Sequence, residues 1–484
     1  MVPGDLTKYE PVIGLEVHVR LNLNTKLFCD DPFQYGESPN TLIGPISLAY
    51  PGSLPKVNKK AIEYAIKIGI ACGSEIANKI IFDRKNYFFP DLPKGYQLTQ
   101  DRLPVCKGGT IRIGTNSGIR QIALTKIHLE EDAGKSIHDG SEDFTQIDFN
   151  RAGTALIEIV TDPVLSSPEE AYSFMFEVRR LVRALGIGDG NMEQGSLRCD
   201  ANISLRKQGD HTLGTKVEIK NVNSFNNVKK ALLTEITRQN NLLEEGENII
   251  SESRTFDPIS GKTFGMRTKE TLTDYRYFPD PDLTPIIVDK SWHHDIKAEI
   301  SELPMDRQLR YIETLKLPEN IAVILTDSTE ISQYFEQVAD FSGNPKSSAN
   351  WVIGPVKSAL NSRGIPISDF QVTPQQMGTI IKWVDSGALT QNIAVKQLFP
   401  SILSYPEESL ESLFSKLNER IDVDQDLEAI VEGVLKSLPE EAELLRNGKN
   451  RLLGMFMGKI MKASNGGADP KKAKNILLRL VNNK

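Results

Sequence analysis

Hydrophobic and polar positions alternate with a period of two along PVIGLEVHVRL, residues 11–21. Ile13, Leu15, Val17, Val19 and Leu21 fall on one side, and Gly14, Glu16, His18 and Arg20 on the other, which predicts a strand with one buried face. Two later stretches repeat the pattern. In LRCDANISLR, Arg198, Asp200, Asn202, Ser204 and Arg206 oppose Cys199, Ala201, Ile203 and Leu205; in TKVEIKN, Lys216, Glu218 and Lys220 oppose Val217 and Ile219. Gly209, Asp210 and Gly214 lie between them, so the two read as a hairpin. Helical spacing appears over Lys59 to Ala71, over Pro168 to Leu185 and over Asn227 to Glu245. The second is bounded by Ser167 as N-cap, Pro168 in the first turn, Glu170 as capping-box partner and Gly186 as the stop. Its stripe of Phe174, Val178, Leu181 and Leu185 belongs to the core.

After Trp292 the texture changes to short helices separated by Pro and Gly. Thr373, Pro374 and Gln376 open one such helix, which continues through Ile380, Ile381 and Val384 to a stop at Gly387. The pattern predicts an α+β chain: a strand-rich N-terminal domain over 1–295, an all-helical domain over 296–405 and a small helical tail domain over 406–484.

The length of 484 residues fits about three domains. No apolar run approaches the eighteen or more residues that span a bilayer, and MVPGDLTKYE has neither a basic nor an apolar segment, so a cytoplasmic protein is expected. Cys29, Cys72, Cys106 and Cys199 are widely spaced, which indicates reduced thiols rather than a disulfide framework. The net charge of −7 conceals a reversal along the chain: residues 401–445 carry 12 acidic against 3 basic side chains, and residues 446–484 carry 10 basic against one acid. These segments either neutralise each other or leave a basic terminal module to meet phosphates.

Glu16 and His18 lie roughly 6 to 7 Å apart on one strand face. Taken alone they are either solvated or share a metal ion or a proton. If Asp200 and Glu218 join them, three carboxylates and an imidazole converge, and such a cluster repels itself unless a divalent cation or protons neutralise it. Oxygen ligands with one nitrogen suit Mg²⁺ or Mn²⁺. KIHLEEDAGKS ends like a phosphate loop, but that motif needs Gly where Leu129 stands, so it is rejected. Strand parity there places His128, Glu130 and Asp132 on one side and Glu131 on the other, and admits only one of the adjacent glutamates to a site unless the strand bulges. DRKNYFFPDLPKGYQLTQ sets Arg84, Lys85 and Lys94 among Tyr87, Phe88, Phe89 and Tyr96, a composition that suits a triphosphate, an RNA terminus or a packed loop. Arg254, Arg267 and Arg276 line either an anionic cleft or the surface.

The stretches VIGLEVHVRL, FDRKNYFFPDLPKGYQLTQ, IHLEEDAGKS, DFNRAGTALIEIVTDP, GSLRCDANISLR, EIKNVNSF and DYRYFPDPDL, with NWVIGPV and GMFMGKIMKASNGGADP further on, resemble the B subunit of the bacterial and organellar aspartyl/glutamyl-tRNA amidotransferases over essentially the full chain. The resemblance implies a cradle-shaped catalytic N-terminal domain that phosphorylates the side-chain carboxylate of Glu-tRNA(Gln) or Asp-tRNA(Asn) with ATP. Ammonia would come from a glutaminase, the A subunit, while the C subunit would brace a heterotrimer. It implies Mg²⁺ held by Glu16, His18, Glu131 and Glu218, with Asp200 beside Glu16 and His18 as catalytic residues. The choice of Glu131 over Glu130 follows the resemblance and goes against simple parity. Arg84, Lys85, Lys94 and Arg198 would serve ATP, substrate or an ammonia gate, and Lys449, Lys459 and Lys462 would contact the tRNA. Many relatives carry C-x-C and C-x-x-C pairs near the start that can hold zinc. Here only Cys29 of the first pair remains, followed by Asp30 and Asp31, and LIGPISLAYPG has no Cys, so no zinc is expected. The competing readings are a non-catalytic tRNA-binding scaffold and a stand-alone ATP-dependent amide ligase.

Overall fold

The computed structural model describes residues 8–137, 144–268, 274–420, 423–446, 449–464, 468 and 470–482. The chain divides into two compact units, residues 1–306 and 307–484.

The N-terminal unit runs β1 (Tyr9–Arg20), α1 (Lys59–Ala71), β2 (Asp83–Asn86), β3 (Tyr96–Thr99), β4 (Thr110–Thr115), β5 (Gly118–Glu131) and β6 (Ala155–Thr161). It continues with α2 (Pro168–Ala184), β7 (Leu197–Lys207), β8 (Val217–Val222), α3 (Phe225–Glu244), β9 (Glu252–Asp257), β10 (Lys262–Thr268) and β11 (Phe278–Pro279). Ten strands form one sheet in the order β10-β9-β8-β7-β1-β6-β5, followed by the short strands Cys106–Lys107 and Glu75–Ile76, while β4 folds back on the first half of β5. The first strand of the sequence is therefore an inner strand, between β6 and β7. Neighbours are antiparallel except β8 and β9, which are parallel and joined by α3.

The alternation of β1 buries Ile13, Leu15, Val17 and Val19 at 0–1% exposure on one face. On that side α2 and α3 pack on each other, and α3 packs on β7, with Phe174, Val178 and Ile236 in the same core. Ser167 caps α2 as expected, accepting from Glu170 N. The Glu170 carboxylate does not close a capping box; it accepts from Ser166 N at 2.8 Å and pairs with Arg120 instead. The third predicted helix starts two residues earlier than its spacing suggested, because Ser224 supplies the cap.

A separate three-stranded sheet of β11, β2 and β3 carries the basic aromatic segment. It is tied to the end of β5 through Leu98 N, which donates to Glu131 Oε1 at 2.8 Å, and Gln97 Nε2, which donates to Glu131 O at 2.7 Å.

The C-terminal unit is helical, with one apolar cluster from Tyr311 to Leu417 and another from Leu427 to Val481. The expected Thr373 and Gln376 capping box is present. Arg479, in the basic segment, pairs with Glu428 in the acidic one at 2.6 Å, so the charge reversal is partly internal compensation.

Phe174 has no exposed surface. Phe174→Ala should destabilise the N-terminal unit by about 3–5 kcal/mol, read as a shift in urea midpoint. A loss below about 1 kcal/mol would mean that α2 is not fixed to the sheet through this ring.

Candidate functional site

The polar face of the sheet is assembled by register. Glu16 lies opposite Asp200 on β7, His18 lies opposite Arg198 on β7 and Glu158 on β6, and Glu158 lies opposite His128 on β5. Asn202 faces Glu218 across the β7–β8 pair. Residues far apart in sequence thus form two adjoining groups.

In the first group, ligand-capable oxygens of Glu16, Asp200 and Glu218 lie within 4.8 Å of one another. Burial pushes the Glu16 carboxyl above the ordinary range, and the charges of Glu158, Glu218 and Asp200 add to it, against a hydrogen bond from Asn202 Nδ2 at 2.8 Å. Lys220 Nζ lies 3.1 Å from Asp200 and 2.9 Å from Glu218, and those carboxylates raise its pKa in spite of burial. Ser253 donates to Glu218 at 2.8 Å.

The second group is a chain of alternating imidazoles and carboxylates. His18 Nε2 lies 3.3 Å from Glu130 and 3.6 Å from Glu158, whose other neighbour is His128 Nε2 at 3.1 Å. Burial opposes charge on His18, but the two carboxylates outweigh it and raise its pKa to about 9. Burial likewise opposes ionisation of Glu130 and Glu158, yet the histidines hold both below the usual range. His128 Nδ1 is buried without a hydrogen-bond partner among the described residues.

Of the residues singled out in the sequence, the structure brings Glu16, His18, Asp200 and Glu218 together, with Arg198 alongside. Arg198 donates to Asp132 at 2.6 Å. Glu131 is in neither group. The adjacent glutamates of β5 point to opposite sides, so Glu130 stands beside His18 while Glu131 is ion-paired to Lys94 and accepts from Leu98 N. The side-chain directions of this segment follow simple parity. Arg84 is engaged by Asp280 and Asp282 at 2.5 and 2.9 Å and lies over Tyr96. Lys85 lies over the rings of Tyr275 and Tyr87. The side chain of Arg267 lies outside the described residues. Lys449, Lys459 and Lys462 are exposed on the C-terminal unit. Glu158 was not singled out in the sequence; its signal is the single acid inside the apolar run ALIEIV.

Lys94 and Glu131 also line a cavity of about 10 Å³, room for at most one water-sized molecule. Phe28, Cys29, Ile46 and Ser47 form its other side.

The donor set fits a hard divalent cation: five carboxylates and one imidazole nitrogen in two groups, with the Glu16 carboxyl raised first by burial and then by its neighbouring carboxylates. Such an ion would neutralise what Lys220, Arg198 and His18 leave unbalanced.

A family model described as the GatB/GatE catalytic domain matches residues 11–294, and one described as the GatB domain matches residues 333–481. The chain is 44% identical over 475 residues to the B subunit of the aspartyl/glutamyl-tRNA(Asn/Gln) amidotransferase of Geotalea daltonii, covering 98% of this chain and 99% of that protein. It is 43% identical to the protein so named in Persephonella marina, covering 98% of this chain and all of the relative, and 43% identical to that of Pelodictyon phaeoclathratiforme, covering 98% and 99%.

Glu130→Gln and Glu158→Gln should each weaken Mn²⁺ or Mg²⁺ binding by tenfold or more in calorimetric titration, on the order of 1.4 kcal/mol or above. Glu131→Gln should leave it within threefold. The reverse ranking would exclude the Glu130–Glu158 side as the cation site.

Proposed function

The chain belongs to the family of aspartyl/glutamyl-tRNA(Asn/Gln) amidotransferase B subunits, and on that premise we propose that the acid groups of its sheet are the phosphorylating centre of the enzyme. The chain is a subunit of a tRNA-dependent amidotransferase, with a ligase-type activity. The observation that carries the proposal is the pair of adjoining carboxylate groups on one sheet face, a costly arrangement that a cation and phosphates would balance.

An ionised side-chain carboxylate does not accept ammonia. In the proposed reaction an oxygen of the Glu or Asp side chain on a misacylated tRNA attacks the terminal phosphorus of ATP. The bond from phosphorus to the bridging oxygen breaks, ADP leaves and an acyl phosphate remains. The nitrogen lone pair of ammonia then attacks the acyl carbon, the bond from carbon to the phosphate oxygen breaks, a proton is lost and the amide is formed. Mg²⁺ held by Glu16, Asp200 and Glu218, and by His18, Glu130 and Glu158, would supply positive charge to the phosphoryl oxygens. Arg198 orients those oxygens, and Asn202 fixes the Glu16 carboxylate. Lys85, between two tyrosine rings, offers a further cation for phosphate.

Lys94 and Glu131 border a cavity large enough for one small molecule, so they suit a place where ammonia waits, the carboxylate accepting its N–H. The ammonia would come from glutamine hydrolysed on the A subunit, with the C subunit in the same cytoplasmic heterotrimer. We assign the tail, residues 406–484, to the tRNA body through exposed Lys449, Lys459 and Lys462.

In the assembled enzyme with Glu-tRNA(Gln), Mg²⁺ and ammonium chloride, Glu16→Gln and His18→Ala should each lower tRNA-dependent phosphate release from ATP by a hundredfold or more, about 2.7 kcal/mol. Undiminished release in both would make the acid groups structural and the chain a scaffold. Replacing Lys449, Lys459 and Lys462 together by Glu should weaken tRNA binding and flatten its salt dependence by up to about three contacts. An unchanged salt slope would remove these lysines from the interface.

A further inference from the structure

Between β1 and α1 the segment 29–56 contains no named helix or strand. Besides backbone bonds such as Lys56 N to Phe28 O at 2.8 Å, a stretch of that length relies on side chains to hold its shape. Its 38–42 part is held to residues 147–150 by Asn40 and Asn150, and the fastening of its 44–47 part converges on Asp31. Its Oδ2 accepts from Gly44 N at 2.9 Å, from the Cys29 thiol at 3.3 Å and from the Ser47 hydroxyl. One oxygen therefore ties the start of the segment to its middle. Gly44 permits this approach, since a Cβ there would collide with the Asp31 carboxylate.

A buried cation completes the knot. Lys26 has no exposed surface, and its Nζ donates to Leu42 O at 2.9 Å and to Ser47 Oγ at 3.3 Å. Burial lowers its pKa, and Cys29, Asp31, Asp148 and Glu131 act in the opposite direction. Cys29 and Ser47, both held by this knot, line the small cavity together with Lys94 and Glu131.

We propose that Asp31 is a latch that seats the 44–47 turn, with Cys29, as part of the wall of the Lys94–Glu131 cavity, and so a positioning residue for that pair. Without the carboxylate, Gly44 N and the Ser47 hydroxyl lose their common acceptor and Lys26 loses one of its compensating charges. The wall then lifts while the sheet beneath it stays intact. The positioning half rests on the reading of the cavity as the ammonia site.

The thiols supply the test. Cys29 is half-buried, whereas Cys72, Cys106 and Cys199 are buried in the core. Labelling of the folded chain with a maleimide therefore reports wall opening at Cys29 and global opening at the other three. Asp31→Ala should accelerate labelling of Cys29 tenfold or more and leave the other three unchanged. Asp31→Asn removes the same charge but keeps an acceptor oxygen, and should label Cys29 within threefold of wild type. Equal rates in wild type and Asp31→Ala, acceleration of all four thiols together, or an Asn variant as fast as the Ala variant would each overturn the latch.

In the assembled enzyme, Asp31→Ala should raise the phosphate released per amide formed at least threefold, a ratio that a loss of folded protein does not change. Lys94→Met serves as the reference. If the ratio moves in Lys94→Met but not in Asp31→Ala, the positioning role is overturned. If it moves in neither, the ammonia reading of the cavity fails, and the labelling result alone decides the latch.

Discussion

Like charges gathered on one face of a sheet repel one another across a few ångström, and the N-terminal unit is fitted around that repulsion. Glu16, Asp200, Glu218, Glu130 and Glu158 meet on the polar side of β1 and its neighbours. Each is placed by strand register, which cannot relax without dismantling the ladder. The surrounding cations follow from this: Lys220 between Asp200 and Glu218, His18 between Glu130 and Glu158, and Arg198 on Asp132. None of these closes the balance at Glu16, whose carboxyl stays shifted toward the neutral form. A bound cation would offset that remaining repulsion.

The opposite face makes the arrangement tolerable. Ile13, Leu15, Val17 and Val19 are buried in the same core as Phe174 and Val178, so the strand that presents Glu16 and His18 is fixed by apolar packing every second residue. The polar face is held rigid from beneath. A cation entering it would find its ligands already in place, with little side-chain order left to impose.

Much of this was legible in the sequence, because period-two alternation survives wherever one sheet face is buried and the other is not. It located β1, β7 and β8 and set Glu16, Asp200 and Glu218 on polar faces. Alternation also separated Glu130 from Glu131, and the ion pair of Glu131 with Lys94 agrees with it. What alternation does not carry is the pairing of strands. That Glu158 would stand between His18 and His128 depends on β6 lying between β1 and β5, a long-range fact with no local signature. The capping of α2 was legible at Ser167 and misleading at Glu170, because Ser166 N and Arg120 compete for that carboxylate. The knot at Asp31 was invisible for the same reason as the strand pairing: its partners Gly44 and Ser47 are brought back by an irregular segment.

The inner position of β1 also bears on how the chain comes to be folded. Tyr9 is registered with Lys207 and Arg20 with Leu156, so neither edge of the first strand can be paired until well over a hundred further residues have been made. At ribosomal rates the second edge waits about 10–40 s. Throughout that interval the nascent chain carries an apolar, β-branched strand with two open edges, the kind of species that invites edge-to-edge association. Native contacts of such wide sequence separation also favour slow closure. Assembly of the acid groups awaits the same pairing of β1 with β7 that protects the strand.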